Sequence, residues 1–210
     1  MRPIYLLSPS KKEGVVSLPI ISFALKSKKI EFDDCDTLLF TSKQAVISAE
    51  KIDERWKVYP CIAIGPATAQ QIRSFGGTVL YEPGSFYGET LAADIVRFFK
   101  TRKLLYLRPK EVSFDSRSFL EKNGVNITEQ VIYETSCVTY DKHQAPLKNA
   151  VIIFTSPSSI QCFFKNFKWD ESYTAVVIGK ATLKHLPDGI SYAIADEPLI
   201  DACIKKAKAL

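Results

Sequence analysis

Apolar positions fall in short blocks along this chain, each closed by hydroxyl residues, glycine or proline. The clearest block is Val151-Ile152-Ile153-Phe154, an unbroken apolar run rich in β-branched side chains. Such a run reads as a strand buried on both faces. It passes directly into Thr155-Ser156-Pro157-Ser158-Ser159. Ser156 suits a helix N-cap, and Pro157 suits the first helical position, where its missing N–H costs nothing. The pattern predicts strand, tight turn and helix start. Free backbone N–H groups and the positive end of the helix dipole then face out of the strand's carboxyl edge, a place that holds anions.

The same reading runs along the rest of the chain. Strands are predicted over 4–7, 37–42, 58–64, 78–81, 103–108, 175–178 and 192–195. Helices are predicted over 44–51, 66–75, 89–100 and 116–122, from the Gly179 turn to Leu186, and from Leu199 onward. Gly76-Gly77 and Asn123-Gly124 stand where helix C-caps belong. Val15 to Leu25 is apolar but contains Pro19, which argues for an edge or connecting strand. Val125 to Val138 is long and extended. Strands alternating with helices imply parallel sheets with both faces covered.

The hydroxyl turn has an echo in Leu39-Phe40-Thr41-Ser42, with Phe40 and Phe154 lying 114 positions apart. Ile62-Ala63-Ile64-Gly65-Pro66-Ala67-Thr68 echoes Val176-Val177-Ile178-Gly179-Lys180-Ala181-Thr182 at the same offset. Two motifs at one offset indicate a degenerate tandem duplication, about a hundred residues per copy and therefore domain-sized. Each copy alone supplies too few strands for a comfortable sheet. The extended stretches 15–25 and 125–138 occupy matching places in the two copies and are expected to cross between domains. One domain is then 1–20 plus 138–210 and the other 26–132, with linker strands near 18–25 and 131–138. A ligand cleft is expected between them.

Composition narrows the chemistry. A hydrophobic share of 46% with 24% charged residues belongs to a globular chain and not to a disordered one. No apolar window is long enough for a membrane span, and the N-terminus opens into a strand and not into a signal peptide. Five cysteines are odd in number and form no CxxC pair. They are expected as buried or free thiols of a reducing cytoplasm, not as a disulfide frame or zinc site. His143 and His185 are too few for a histidine metal centre. The net charge of +5 favours an anionic ligand only mildly, because scattered lysines are an ordinary solvated surface. No GxGxxG, Walker loop or GxSxG elbow is present. Scattered lysines, with aromatics confined to apolar runs, argue against a nucleic-acid binder.

The motifs together resemble the uroporphyrinogen-III synthase family. They are Leu39-Phe40-Thr41-Ser42 with Ala45-Val46, Ile64-Gly65 with Thr68-Ala69, and Gly84-Ser85 with Glu89 to Leu91. Then come Leu105-Tyr106-Leu107-Arg108 with Arg117, Val131-Ile132-Tyr133-Glu134-Thr135, Phe154-Thr155-Ser156-Pro157-Ser158-Ser159, and Ile178-Gly179 with Thr182. The resemblance implies an α/β chain of two flavodoxin-like domains with parallel sheets, joined by a two-stranded linker. It implies a cofactor-free, metal-free cytoplasmic enzyme that closes hydroxymethylbilane into uroporphyrinogen III, with inversion of the terminal pyrrole ring and loss of water. The family's tyrosine falls on Tyr133, which is expected to help the hydroxyl leave. Substrate contacts are expected at Thr41, Ser42, Gly65, Thr68, Ser85, Arg108, Thr155, Ser156, Ser158, Gly179 and Thr182. A monomer is expected, with no membrane or nucleic-acid partner and with the upstream hydroxymethylbilane synthase as a candidate partner. Three places depart from the family pattern. Ser8 to Val15 leaves room for barely one helical turn, Ala181 precedes Thr182, and Thr174 stands where some members carry lysine.

Plainer roles compete for these residues. Thr41 and Ser156 fit a helix cap as well as a ligand contact. A strand tyrosine such as Tyr133 packs more often than it catalyses. Arg108 and Arg117 read equally as carboxylate partners and as surface charges. The alternative function is a non-enzymatic two-domain binder of a small anion.

Overall fold

The computed structural model describes residues 2–84 and 87–210. In chain order its elements begin with β1 (Ile4–Leu6), β2 (Val16–Ser17), β3 (Ile21–Leu25), β4 (Thr37–Phe40) and α1 (Lys43–Ile52). There follow β5 (Pro60–Ala63), α2 (Pro66–Ser74), β6 (Thr78–Tyr81), α3 (Gly88–Phe98), β7 (Lys103–Pro109) and α4 (Ser116–Lys122). The chain closes with β8 (Asn126–Cys137), β9 (Val151–Phe154), α5 (Pro157–Asn166), β10 (Thr174–Val177), α6 (Lys180–Leu183), β11 (Tyr192–Ile194) and α7 (Ile200–Lys208). Among the described residues no helix is long and apolar enough to cross a membrane.

Two compact units result. One comprises the chain up to Ser22 together with Thr135–Leu210, and the other comprises Phe23–Glu134. The first holds a five-stranded sheet in the order β11-β10-β9-β1-β2, parallel throughout. The second sheet runs β3-β8-β7-β4-β5-β6, and the strands from β8 to β6 are parallel. β3 is its antiparallel edge. Lys26 N–H donates to the Ile132 carbonyl at 3.0 Å, and Val138 N–H donates to the Ile20 carbonyl at 2.9 Å. One chain index rises as the other falls. Pro19 lies between β2 and β3 and separates them, as a residue without an N–H must.

Both sheets have one strand order, and it explains the repeat. In the first unit β2-β1-β9-β10-β11 is the flavodoxin-like order 2-1-3-4-5. In the second, β8-β7-β4-β5-β6 is the same order with its last three strands drawn from earlier in the chain. Each of these five-strand orders therefore takes two strands from one sequence copy and three from the other, and β3 adds a sixth strand to the second sheet. Ile64 N–H donates to the Phe40 carbonyl at 3.0 Å, and Ile178 N–H donates to the Phe154 carbonyl at 3.0 Å. The same bond recurs at the 114-residue offset seen in the sequence.

The strands are short and apolar because both faces are covered. In the second unit Leu38, Phe40, Leu105 and Leu107 pack with α1 and α2, while Leu39, Leu104 and Tyr106 pack with α3 and α4. In the first unit Ile4, Leu6, Val151 and Ile153 pack with α7. Phe154 meets Phe163 of α5 edge-on at 5.6 Å and stacks with Trp169 at 6.4 Å. The short β1–β2 connection carries turns and no helix, so α7 alone forms the helical cover of that core cluster.

Several expectations are corrected. Val58 does not begin a strand. It ends a 3₁₀ turn over Glu54–Val58 that Asp53 caps, and it is 78% exposed. The helix after Gly179 ends at Leu183 and does not reach Leu186. The cysteines are not all free, because Cys137 and Cys162 form a disulfide with Cα atoms 5.2 Å apart. The bond fastens the end of β8 to α5. Its 25-residue separation has no spacing signature, because it depends on how the strand passes over the helix. Cys35, Cys61 and Cys203 are free.

This packing makes two substitutions costly. A Cβ on Gly77 would lie 2.5 Å from Trp56 Cζ3 and 2.7 Å from Cη2, and Trp56 is fully buried. Gly77→Ala should therefore lower unfolding stability by about 1–3 kcal/mol, read as a drop in thermal midpoint. An unchanged midpoint would mean that Trp56 has room to move. Cys137→Ser should cost about 2–4 kcal/mol under oxidising conditions, as expected for removing a cross-link. Dithiothreitol should lower the wild-type midpoint to match and leave the variant unmoved.

Candidate active site

Parallel strands end together, so the turns that follow β4, β5 and β7 share the carboxyl edge of the second unit's sheet. Thr41 and Ser42 follow β4. Ser42 is extended, caps α1, and accepts the Ala45 N–H at 3.0 Å. Its Oγ is also 2.9 Å from Tyr133 Oη of β8. Thr41 Oγ1 is 2.7 Å from Tyr106 Oη of β7. Successive residues of an extended segment point to opposite faces. The two hydroxyls accordingly meet tyrosines from opposite faces of the sheet. Tyr106 packs with Leu39 and Leu104, and Tyr133 with Phe40 and Leu105. Phe23 meets Tyr133 edge-on at 5.8 Å.

Burial raises the proton affinity of both phenols. Desolvation pushes Tyr133 up from 10 to about 12, against the opposing hydrogen bond from Ser42. It raises Tyr106 as well, against the bond from Thr41. A phenol held protonated in this way is a hydrogen-bond donor and an acid, not a base, at neutral pH.

Gly65 opens α2 with extended backbone, and Pro66 takes the first helical position. Thr68 is 3% exposed, and its N–H donates to the Gly65 carbonyl at 3.1 Å. Arg108, one residue before the end of β7, makes a dense set of contacts. Nη1 donates to the carbonyls of Pro109 and Lys110, and Nη2 donates to Glu129 at 2.9 Å. Thr41, Ser42, Gly65, Thr68, Arg108 and Tyr133 thus all belong to the second unit.

The first unit repeats the device. Ser156 caps α5 and forms a reciprocal capping box with Ser159, while Pro157 takes the first turn. Thr155 precedes the cap and Ser158 lies in the first turn, both half-buried. Gly179 caps α6, and Thr182 is 3% exposed within it. Among the described residues no tyrosine is bonded to Thr155 or Ser156, in contrast to Thr41 and Ser42. Ser85 lies outside the described residues. Among the described residues no three His, Cys, Asp or Glu side chains gather as a metal site would require.

Sequence reasoning named Tyr133 but assigned no role to Tyr106 or Glu129. Tyr106 stands two residues before Arg108 in a strand, so both point to one side. That alternation was the available signal. Glu129 pairs with Tyr106 across β7 and β8, a register that no local pattern reveals.

Comparison with known proteins supplies the family. The family model described as Uroporphyrinogen-III synthase HemD matches residues 13–205. The crystal structure of uroporphyrinogen-III synthetase from Helicobacter pylori superposes with a TM-score of 0.80 at 24% identity, covering 100% of this chain and 99% of that one. A mutant uroporphyrinogen III synthase from the extremely thermophilic bacterium Thermus thermophilus superposes at 0.59 with 11% identity, covering 100% and 98%. Among curated proteins no sequence match reaches significance. These two structures share the fold, and the family match spans nearly the whole chain: the protein belongs to the uroporphyrinogen-III synthase family.

Proposed function

We propose that this protein closes hydroxymethylbilane into uroporphyrinogen III, and that Tyr133 is the group that protonates the departing hydroxyl. Family membership carries the reaction. The observation that carries the role is the buried, protonated phenol bonded to Ser42 at the mouth of α1. In the first step the C–O bond of the terminal hydroxymethyl group breaks. The phenol proton passes to the oxygen, water leaves, and the adjoining pyrrole, keeping its N–H, becomes an azafulvenium cation beside the phenolate. The pyrrole at the other end of the chain then closes onto that carbon through a spiro intermediate in which it inverts, and the proton released on closure restores the phenol. A positioned general acid contributes roughly a hundredfold or more.

The remaining residues are assigned to holding the substrate. Its acetate and propionate side chains are anions. The turns after β4, β5, β9 and β10 offer backbone N–H groups at helix starts together with the hydroxyls of Thr41, Thr155, Ser156 and Ser158. Such neutral donors suit a ligand whose ring must turn over during the reaction. Gly65 and Gly179 leave the start of a helix open at the corresponding turns. Thr68 and Thr182 are nearly fully buried and their N–H groups are used by the Gly65 and Gly179 carbonyls, so their share is to support the turn. We assign hydroxymethylbilane as the substrate and leave the enzyme that supplies it as a candidate partner.

The test is product analysis. Protein incubated with fresh hydroxymethylbilane, followed by oxidation and separation of porphyrin isomers, should yield mainly isomer III. Isomer I alone, the product of unassisted closure, would leave only an anion-binding role. Tyr133→Phe should slow isomer-III formation roughly a hundredfold in a variant that remains folded. Because burial holds the phenol at about 12, the ratio of wild-type to variant rate should stay constant from neutral pH to the ordinary phenol value of 10.0. A ratio that halves on approach to that value would mean that the acid ionises like an exposed tyrosine.

A further inference from the structure

A cavity of about 560 Å³ opens at the end of β7, between that strand, β8 and α4, within the second unit. Such volumes suit small-molecule ligands. Its place in the fold is informative. The chain after β4 goes to the face covered by α1, and the chain after β7 goes to the face covered by α4. Between β7 and β4 the connections therefore diverge, which is where open α/β sheets hold ligands. The Tyr106–Thr41 hydrogen bond bridges these two strands, and Tyr106 lines the cavity.

The charges in the cavity are arranged around one oxygen. Glu129 Oε1 accepts Arg108 Nη2 at 2.9 Å and lies 3.8 Å from Arg117 Nη1. The Arg108 and Glu129 side chains are only 17% and 19% exposed, while Arg117 is 48% exposed. Arg117 also donates from Nε to Glu121 at 2.8 Å, an exposed pair on one helix face that contributes little. Asp115 is engaged elsewhere. It caps α4, and Ser118 holds its carboxyl below the ordinary range. Arg108 Nε is buried and has no acceptor, a condition that native structures rarely leave unmet. Two guanidiniums thus converge on a single internal carboxylate, with one further N–H awaiting an acceptor. The register shift between Arg108 and Pro109 bends the strand end as bulges beside functional sites do.

We propose that this cavity is a carboxylate subsite for one acidic side chain of the substrate, and that Glu129 is its internal stand-in. An incoming carboxylate takes the exposed Arg117, while Glu129 keeps Arg108 Nη2. Arginine suits this exchange because its planar fork can serve two carboxylates at once. The subsite extends the Thr41–Ser42 turn sideways along the sheet edge and so anchors a part of the substrate that does not react. The proposal rests on the cyclisation reading for its choice of ligand.

The test uses uroporphyrin I, a porphyrin bearing the same acetate and propionate groups, titrated into the intact protein and followed by its absorbance. Arg117→Gln removes an exposed charge and should fold normally. It should weaken binding about tenfold, the value of one charge-assisted contact. Lys208→Gln, the same loss of charge on α7, should leave binding within about twofold and so exclude a net-charge effect. Glu129→Gln removes the competitor and should tighten binding about threefold or more. The same variants should shift KM for hydroxymethylbilane in the same directions, with kcat within about twofold. Unchanged binding by Arg117→Gln, or weaker binding by a folded Glu129→Gln, would overturn the subsite. A wild type that forms isomer III while Arg117→Gln matches it in binding and KM would refute the subsite and leave the reaction standing. A wild type that forms no isomer III would refute the reaction, and the porphyrin titration would still decide the cavity.

Discussion

The 2.9 Å hydrogen bond between Ser42 and Tyr133 is the contact on which the site depends. It ties the first turn of α1 to β8, the strand along which the chain leaves the second unit. Ser42 is already committed to the Ala45 N–H, so its position is set by the helix start. The phenol is thereby held against a fixed point. Burial in the same place raises the cost of losing the proton. Position and protonation therefore share one cause, the packing of Tyr133 among Phe40, Leu105 and the α1 face.

That arrangement follows from how parallel sheets are built. Strand ends gather at one edge, and the helices that follow start there. Short strands of fully buried residues, such as Leu38, Leu39 and Phe40, bring the turns close without long loops. The repeated bonds from Ile64 to Phe40 and from Ile178 to Phe154 show the two units solving this in one way. They differ in what surrounds the hydroxyls. In the second unit two phenols grip Thr41 and Ser42, while in the first the Ser156–Ser159 capping box closes on itself. Under the proposed function, this asymmetry gives the acid to one unit and leaves the other the holding of anions.

Much of this was legible in the chain. Uninterrupted apolar runs marked buried strands, Pro157 and Pro66 marked helix starts, and the common offset marked the duplication. Pro19 argued for an edge or connecting strand over 15–25, and two strands, β2 and β3, stand there with the proline between them. What escaped was set by tertiary packing. Val58 is apolar and follows Trp56, yet burial of the tryptophan turns it outward at the end of a 3₁₀ turn. The Cys137–Cys162 bond joins elements whose approach no spacing encodes. Tyr106 drew no role because its partner Thr41 lies 65 residues away. Glu129 had no local reason to be singled out, since its meaning comes from two arginines on other elements.

A double-mutant cycle tests most directly whether Ser42 and Tyr133 act as one device. Isomer-III turnover would be measured for Ser42→Ala, Tyr133→Phe and the pair, with folding checked for each. If Ser42 works by holding the phenol, the double variant should be no slower than Tyr133→Phe alone, within about twofold. If the two losses multiply, Ser42 acts on the substrate independently, and the account of a positioned acid is wrong.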